Sequence, residues 1–588
     1  MTPARVVRCL LAALLSSLLA APLYSADRPW RELKTERYTV ISQLPDADTR
    51  RWAEEYDEFI ASVLEITRFR PDALPPLTVV LFRHNRDFAP FKPPRPNGKQ
   101  ADDVAGFFLR RETWGVIGMA ETSEADATRS TIFHEGVHWI TSVDRSPQPT
   151  WFSEGLAEIF STFGPKVTKV HLADPILPHL ALLRQNALMP MSAFLSQQGS
   201  LFDRDAHTSL YYAQAWAFVH YLLFSGDPQR REQLGRYLQA YRTKSAEEAA
   251  SIAFGPDLAP LEKALNHYVE QPTMGSLLLP RHKTAPLGAI SDAAPVAVEI
   301  AQGRLALYST DTQLAARYAE RAEALDPQGA AIHELRSYIA MRDQDPDTAM
   351  SEAQKALQGG SRDAQMFLLA AEAVQRANYG SASERVQRRV DLCEQAIGLN
   401  PTYLMAYEHL VGAVTAMQKP TQREMQYLKV GQAIFPQDPG LLVGLAVAEY
   451  KLGQTEEAYA RLDAVLRPDS GMESSQRLYA QDLKSSWRLA ELQEGVEPLM
   501  NSRKFPEALK FIDGYADKVE GRIALDYLAS LRRTIVLQQA VASANDTQRA
   551  GHLAEARKQY EALLGQPNLP DDLRQYLQRA IESLKRAR

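Results

Sequence analysis

The sequence predicts a chain of three parts: an α+β N-terminal part, a mostly helical middle, and an all-α array of repeated helix pairs. Three observations carry that expectation. Strand-like and helix-like runs alternate before residue 120. Apolar runs of helical character fill the stretch from Ala120 to Glu270. From about Ala293 onward the chain is rich in Ala, Leu, Gln and Glu, poor in strand signals, and repeats itself.

Residues 1–26 read as an export signal. Arg5 and Arg8 form a basic start, Leu10 to Leu19 is apolar apart from Ser16 and Ser17, and Ala20-Ala21-Pro22 follows. Ser25 and Ala26 offer a cleavage position before Asp27. The alternative is an uncleaved anchor, for which the apolar run is short. Once the segment is removed, no stable transmembrane helix is expected. Cys393 is then the sole cysteine, so no internal disulfide can form. Export without disulfides points to a bacterial periplasm or cell envelope.

The 588 residues are 45% hydrophobic and 23% charged, an ordinary globular composition with ample length for several cores. The net charge of −6 carries no basic excess, which excludes nucleic acid as an expected partner.

Residues 27–119 form the α+β part. Arg37 to Ser42 reads as a strand. Asp46 to Ile66 reads as an amphipathic helix, with Trp52, Tyr56, Phe59 and Val63 at helical spacing. Leu77 to Phe82 is a second strand, and Pro90 to Lys99 is loop. Gly106 to Leu109 and Trp114 to Gly118 are further strands, joined by a charged turn at Arg110-Arg111-Glu112. Residues 120–271 form the helical part, including an apolar helix from Leu210 to Leu223. Residues 272–292, with Gly275, Pro280, Pro286 and Gly288, read as a linker.

In residues 293–588 similar helix ends recur at Ala324, Ala356, Ala396, Ala433 and Ala464, spaced 32, 40, 37 and 31 residues apart. Leu452 to Ala458 reads as the turn into a second helix of one unit. Phe505-Pro506-Glu507-Ala508 and Gly551 to Ala556 read as degenerate copies. A helix pair with a period near 34 resembles the tetratricopeptide repeat, whose stacked units suit protein partners.

The middle part carries the chemistry. In His134-Glu135-Gly136-Val137-His138, the two histidines are i and i+4 on a helix, so both imidazoles leave one face. That spacing suits one metal ion, with Glu135 placed to hold a water rather than the metal. Ile132, Phe133, Val137, Trp139 and Ile140 make this a buried helix, where polar side chains need partners. In Trp151-Phe152-Ser153-Glu154-Gly155-Leu156-Ala157-Glu158, Glu154 and Glu158 again share a helical face. Glu154 is the expected third ligand, and Glu158 the carboxylate expected to hold the free ring nitrogen of a liganding histidine. Histidine and carboxylate ligands make zinc, one ion per chain, the expected metal.

These two runs resemble the gluzincin metallopeptidases, and among them the bacterial peptidase MA-like domains, relatives of the aminopeptidase N and thermolysin groups. The resemblance covers residues 30–270. It implies a helical zincin catalytic domain following the α+β part, and hydrolysis of peptide bonds in a peptide or protein substrate. Tyr211 to Leu222 resembles the aminopeptidase helix that begins with a transition-state tyrosine, which implies that role for Tyr212. Packing beside Tyr211 is the equal alternative. The run departs from aminopeptidases in its shorter gap before Glu154, and in Val116 to Glu121 where those enzymes carry Gly-Ala-Met-Glu-Asn. His207 and His220 are further polar groups within reach of such a site. The expected mechanism is a metal-activated water, with Glu135 taking its proton and returning it to the leaving amine. The alternative is an envelope scaffold or assembly factor that works through the repeats and carries a vestigial or structural zinc site.

Overall fold

The computed structural model describes residues 29–586 apart from 68–73, 93–105, 121–124, 142–147, 167, 197–205, 243, 283–285, 308–311, 378–379, 437, 468–473 and 520–521, and apart from the side chains of 125–128, 206–208, 474 and 523. The expected export signal, Glu121, the His207 side chain and the loop from residue 93 on therefore lie outside the described residues. The chain forms two compact units that divide between Gly444 and Leu445.

The first unit is built on a six-stranded sheet. Its strands are β1 (Arg31–Lys34), β2 (Tyr38–Ser42), β3 (Leu77–Phe82), β4 (Gly106–Arg110), β5 (Gly115–Ala120) and β9 (Ser291–Asp292), in the order β4-β5-β3-β2-β1-β9. β2, β3 and β5 run parallel, with Val40 opposite Val79 and Val79 opposite Ile117. β4, β1 and β9 join antiparallel. Helix α1 (Asp46–Thr67) makes the crossover from β2 to β3. Tyr56, Phe59 and Val63 are its fully buried stripe, at the expected spacing.

Both faces of this sheet are covered. Val40, Val79, Leu81 and Ile117 point into one core, shared with α1, α3 (Ala125–Thr141), α4 (Thr150–Ser161) and α7 (Ala206–Phe224). Ile41, Val80, Phe82 and Val116 point into a second core, shared with the first helices of the array and with Phe88 of the short α2 (Asn85–Phe88). Alternation along each strand assigns neighbours to opposite faces. The unbroken apolar run of β3 is what two buried faces require.

The helical middle continues through β6 (Gly164–Pro165), β7 (Lys169–Leu172), α5 (Leu177–Gln185), α6 (Met191–Ser196), α7, α8 (Pro228–Tyr241), α9 (Ala246–Phe254) and α10 (Ala259–Val269). Stretch 272–292 contributes a strand to each sheet. β8 (Leu277–Pro280) pairs with β7, and β9 pairs with β1.

Helix pairs then follow: α11 (Pro295–Ala306) with α12 (Thr312–Leu325), α13 (Ala330–Arg342) with α14 (Pro346–Gln358), α15 (Ala364–Arg376) with α16 (Ala382–Leu399), and α17 (Leu404–Ala416) with α18 (Gln422–Ile434). First helices start at Pro295, Ala330, Ala364, Leu404 and, for α19 (Pro439–Lys451), at Pro439, which is 34 to 40 residues apart. That is the tetratricopeptide rhythm. Ala356 and Ala396 are fully buried where paired helices approach. Cys393 is buried and free.

The array also grips the turn between β4 and β5. Asn400 donates to the Glu112 carbonyl oxygen at 3.1 Å. The Tyr338 hydroxyl lies 3.0 Å from Thr113 Oγ1 and donates to Asp363 Oδ2 at 2.7 Å. The guanidinium of Arg304 lies over the Trp114 ring.

In the second unit, α20 (Thr455–Leu466) begins after the Gly453 turn as expected. The short rhythm then stops: α21 (Ser474–Asn501) and α23 (Arg522–Arg549) run 28 residues each. α22 (Phe505–Asp513), α24 (Leu553–Leu564) and α25 (Asp571–Arg586) pack against them, with Ala508 and Ala556 fully buried. No helix among the described residues is long and apolar enough to cross a membrane.

Candidate metal centre

Two neighbouring helices bring the candidate ligands together. α3 presents His134 and His138, and α4 packs against it with Glu154. Close approach depends on small residues. A Cβ at Gly136 would meet Phe59 of α1 at 2.7 Å, and one at Gly155 would meet the Ala215 carbonyl oxygen of α7 at 2.4 Å. α3 thus lies against α1, and α4 against α7, with almost no gap. Trp151, Leu156 and Ala157 turn the other sides of α4 into the core.

The three ligand atoms form a nearly equilateral triangle. His134 Nε2 lies 3.3 Å from His138 Nε2. Glu154 Oε2 lies 3.4 Å from each of those nitrogens. A tetrahedral zinc about 2.0–2.1 Å from each of three ligands requires ligand separations of about 3.3–3.4 Å. The residues present fit that ion in type, number and spacing.

The opposite ring nitrogens are anchored. His134 Nδ1 faces Glu158 Oε1 at 3.5 Å, and His138 Nδ1 faces Ser153 Oγ at 3.3 Å. With the ring hydrogens on Nδ1, both Nε2 lone pairs face the common centre. Glu158 Oε2 faces a third imidazole, His179 Nε2, at 3.4 Å. Glu158 therefore stands where its spacing from Glu154 placed it. Ser153 and His179 were not anticipated.

The charges favour a cation at this place. Burial works against charge on His134, but its hydrogen bond to Glu154 and the negative charges of Glu158, Glu135 and Glu154 outweigh it and hold the imidazole raised to about 9. Burial would raise Glu154, yet hydrogen bonds from His134 and His138 bring it down to about 2. Glu158 is lowered in the same way, burial being outweighed by its contacts with His179 and His134.

Glu135 is half-buried. Among the described residues its carboxylate has no hydrogen-bond or ion-pair partner. It is the one acidic group of the two runs not used to hold a histidine.

The other candidates separate. Tyr212 is half-buried on α7, its ring 6.3 Å from that of Tyr211. Tyr211 is fully buried, with a hydroxyl that has no partner among the described residues, and its ionisation is opposed by burial and then by the charge of Glu154. His220 lies in the core, with Nε2 facing the Ala173 carbonyl oxygen at 3.1 Å and Nδ1 facing the Tyr268 hydroxyl at 2.7 Å. Burial lowers its pKa, and both ring nitrogens are engaged in packing contacts. Arg110 of β4 donates to the His138 carbonyl oxygen at 3.2 Å, satisfying a backbone acceptor near the end of α3. That bond ties the ligand helix to the edge of the sheet.

No protein-family model matches the chain, and no curated protein matches it. Solved structures similar to it include YrrB, a TPR protein with an unusual peptide-binding site, at 15% identity over 29% of this chain and 83% of that one, with a TM-score of 0.24. Pseudomonas aeruginosa pilF is similar at 17% identity over 40% of this chain and 96% of that one, with a TM-score of 0.25. Yeast Tom70 is similar at 12% identity over 74% and 86%, with a TM-score of 0.19. The repeat array is defined by the chain's own helix pairs.

Proposed function

We propose that this chain is a gluzincin-like, zinc-dependent peptidase of the peptidase MA-like type, exported to a bacterial periplasm or cell envelope, with a repeat array that recruits substrate or protein partners. The observation that carries the enzymatic half is the triangle of His134, His138 and Glu154, with an unengaged Glu135 beside it. A structural site has no need of that extra carboxylate.

His134, His138 and Glu154 would hold the ion, and a bound zinc would supply an acidified water and a positive charge for the scissile carbonyl. Glu158 and Ser153 keep the two imidazoles aimed and in one tautomer. Glu135, unengaged beside the triangle, would be the group to accept a proton from such a water and pass it to the leaving amine. The resemblance alone assigns Tyr212 as the donor to the oxygen that would gain charge. Peptide as substrate class draws support from β4, a sheet edge packed beside α3. Among the described residues nothing pairs with its outer side, so an extended chain has backbone groups to bind.

The second reading, a scaffold with a non-catalytic zinc site, draws support from the second unit. It carries none of the site residues and exposes Leu478, Tyr479, Leu525 and Tyr527. One variant separates the two readings. Glu135→Gln is expected to retain zinc and to lose cleavage of a mixed peptide library, measured by mass spectrometry. Cleavage that persists in that variant would refute the role given to Glu135, and no cleavage by zinc-loaded wild type favours the scaffold.

A further inference from the structure

The Glu158 carboxylate is a bridge, and its far end is unexplained by the proposed reaction. Oε1 faces His134 Nδ1 at 3.5 Å, and Oε2 faces His179 Nε2 at 3.4 Å. A half-enclosed carboxylate with a single donor is free to rotate, and its second oxygen loses water without compensation. An imidazole facing each oxygen, at 3.5 and 3.4 Å, restrains the plane of the carboxylate. That plane fixes the direction of the His134 ring, and with it the direction of the Nε2 lone pair.

His179 comes from a different part of the chain from the two ligand runs. It lies in the first turn of α5, after the β6–β7 hairpin. Its ring packs 5.8 Å from Trp216, which is fully buried on α7. α7 is also the helix that presses on α4 at Gly155. The same helix therefore backs both His179 and the Glu154 helix. His179 Nε2 is buried with no hydrogen-bond partner among the described residues, and the Glu158 carboxylate, at ion-pair distance, is the polar group it faces.

We propose that His179 is a positioning residue of the metal centre, acting through Glu158 on His134. It touches neither metal nor substrate. It sets how well the site is formed before the ion arrives, and so sets metal affinity rather than only stability. The inference rests on the metal-site reading above.

The test uses the chain with zinc and with cobalt(II) as probes. His179→Leu keeps the volume and removes the donor, whereas His179→Gln restores an N–H near the Nε2 position. Zinc affinity is read by competition with a chelator, and site geometry by the visible absorption of the cobalt form. His179→Leu is expected to bind zinc roughly tenfold more weakly, the lower end of the range for partners of metal ligands, and to shift the cobalt bands. His179→Gln is expected to recover most of both. In a Glu158→Gln background, His179→Leu is expected to add little further loss, because the bridge is already broken. Wild-type affinity and spectrum in His179→Leu would overturn the proposal. So would equal losses in the Leu and Gln variants, which would make His179 a packing residue. Full additivity with Glu158→Gln would also overturn it. Wild type that binds neither zinc nor cobalt would overturn the metal-site reading, and this inference with it.

Discussion

Gly155→Ala tests whether the closeness of α4 and α7 sets the metal centre. The new Cβ would stand 2.4 Å from the Ala215 carbonyl oxygen and 2.5 Å from Val219 Cγ2. Ordinary carbon–oxygen contact is about 3.3–3.6 Å. The obstacle is backbone, so a rotamer change cannot relieve it, and the helices must part by about 1 Å. Overpacking of this kind costs about 1–3 kcal/mol, offset by about 1 kcal/mol from replacing Gly with Ala inside a helix. The net expectation is a local loss of up to about 2 kcal/mol. Glu154 precedes Gly155 and moves with it, while liganding geometry tolerates about 0.5 Å. Zinc affinity should therefore fall at least about tenfold, or 1.4 kcal/mol. The assays are chelator competition for zinc and amide hydrogen exchange over residues 150–161. Gly235→Ala is the control for sign. Gly235 is exposed inside α8, and a Cβ placed there would meet nothing within 4 Å. That change should stabilise its helix by up to about 1 kcal/mol. Wild-type zinc affinity and exchange in Gly155→Ala would refute the argument.

Two further outcomes follow from buried polar groups. The Tyr211 hydroxyl is buried without a partner among the described residues, so Tyr211→Phe should raise local stability by about 1 kcal/mol, read as slower exchange in α7; faster exchange would mean that the hydroxyl is satisfied. Asp363 is pushed above the usual carboxylate range by burial, which outweighs the hydrogen bond from Tyr338. It binds its proton more tightly folded than unfolded, so its contribution to stability is full below the unfolded pKa and is lost as pH rises through the folded value. Acidification across that window should slow exchange around residues 330–376, and Asp363→Asn should remove the dependence and stabilise the region at neutral pH. An unchanged pH profile in that variant would contradict the assignment.

The candidate centre was legible because its residues obey local rules. His134 and His138 are one helical turn apart, as are Glu154 and Glu158, so each pair is fixed once its helix is recognised. Ser153 is adjacent to a recognised ligand, but its role depends on how α3 and α4 cross, which sequence spacing does not encode. His179 joins the cluster only through tertiary packing of α5, and no local pattern marks it. The strands with buried apolar runs were equally plain, from Tyr38 to Ser42 and from Leu77 to Phe82. β1 and β9 were missed because Arg31 to Lys34 and Ser291-Asp292 are short and mostly polar, and only Leu33 of the two enters the core. The run Val79-Val80-Leu81-Phe82 did hold a clue to the second core. A strand buried on both faces needs a second covering layer, and the first helices of the array provide it through Leu305, Ile332 and Leu335. The early part of the array is consequently part of the first unit's core as well as a candidate docking surface.

The central claim is that His134, His138 and Glu154 hold a zinc ion, and metal content tests it most directly. Elemental mass spectrometry on the purified chain should find close to one zinc per chain. His134→Ala and Glu154→Ala should each lose it while remaining folded by circular dichroism, and Glu135→Gln should retain it. Folded wild type that takes up no zinc after incubation with the ion, or variants that keep a full complement, would contradict the account.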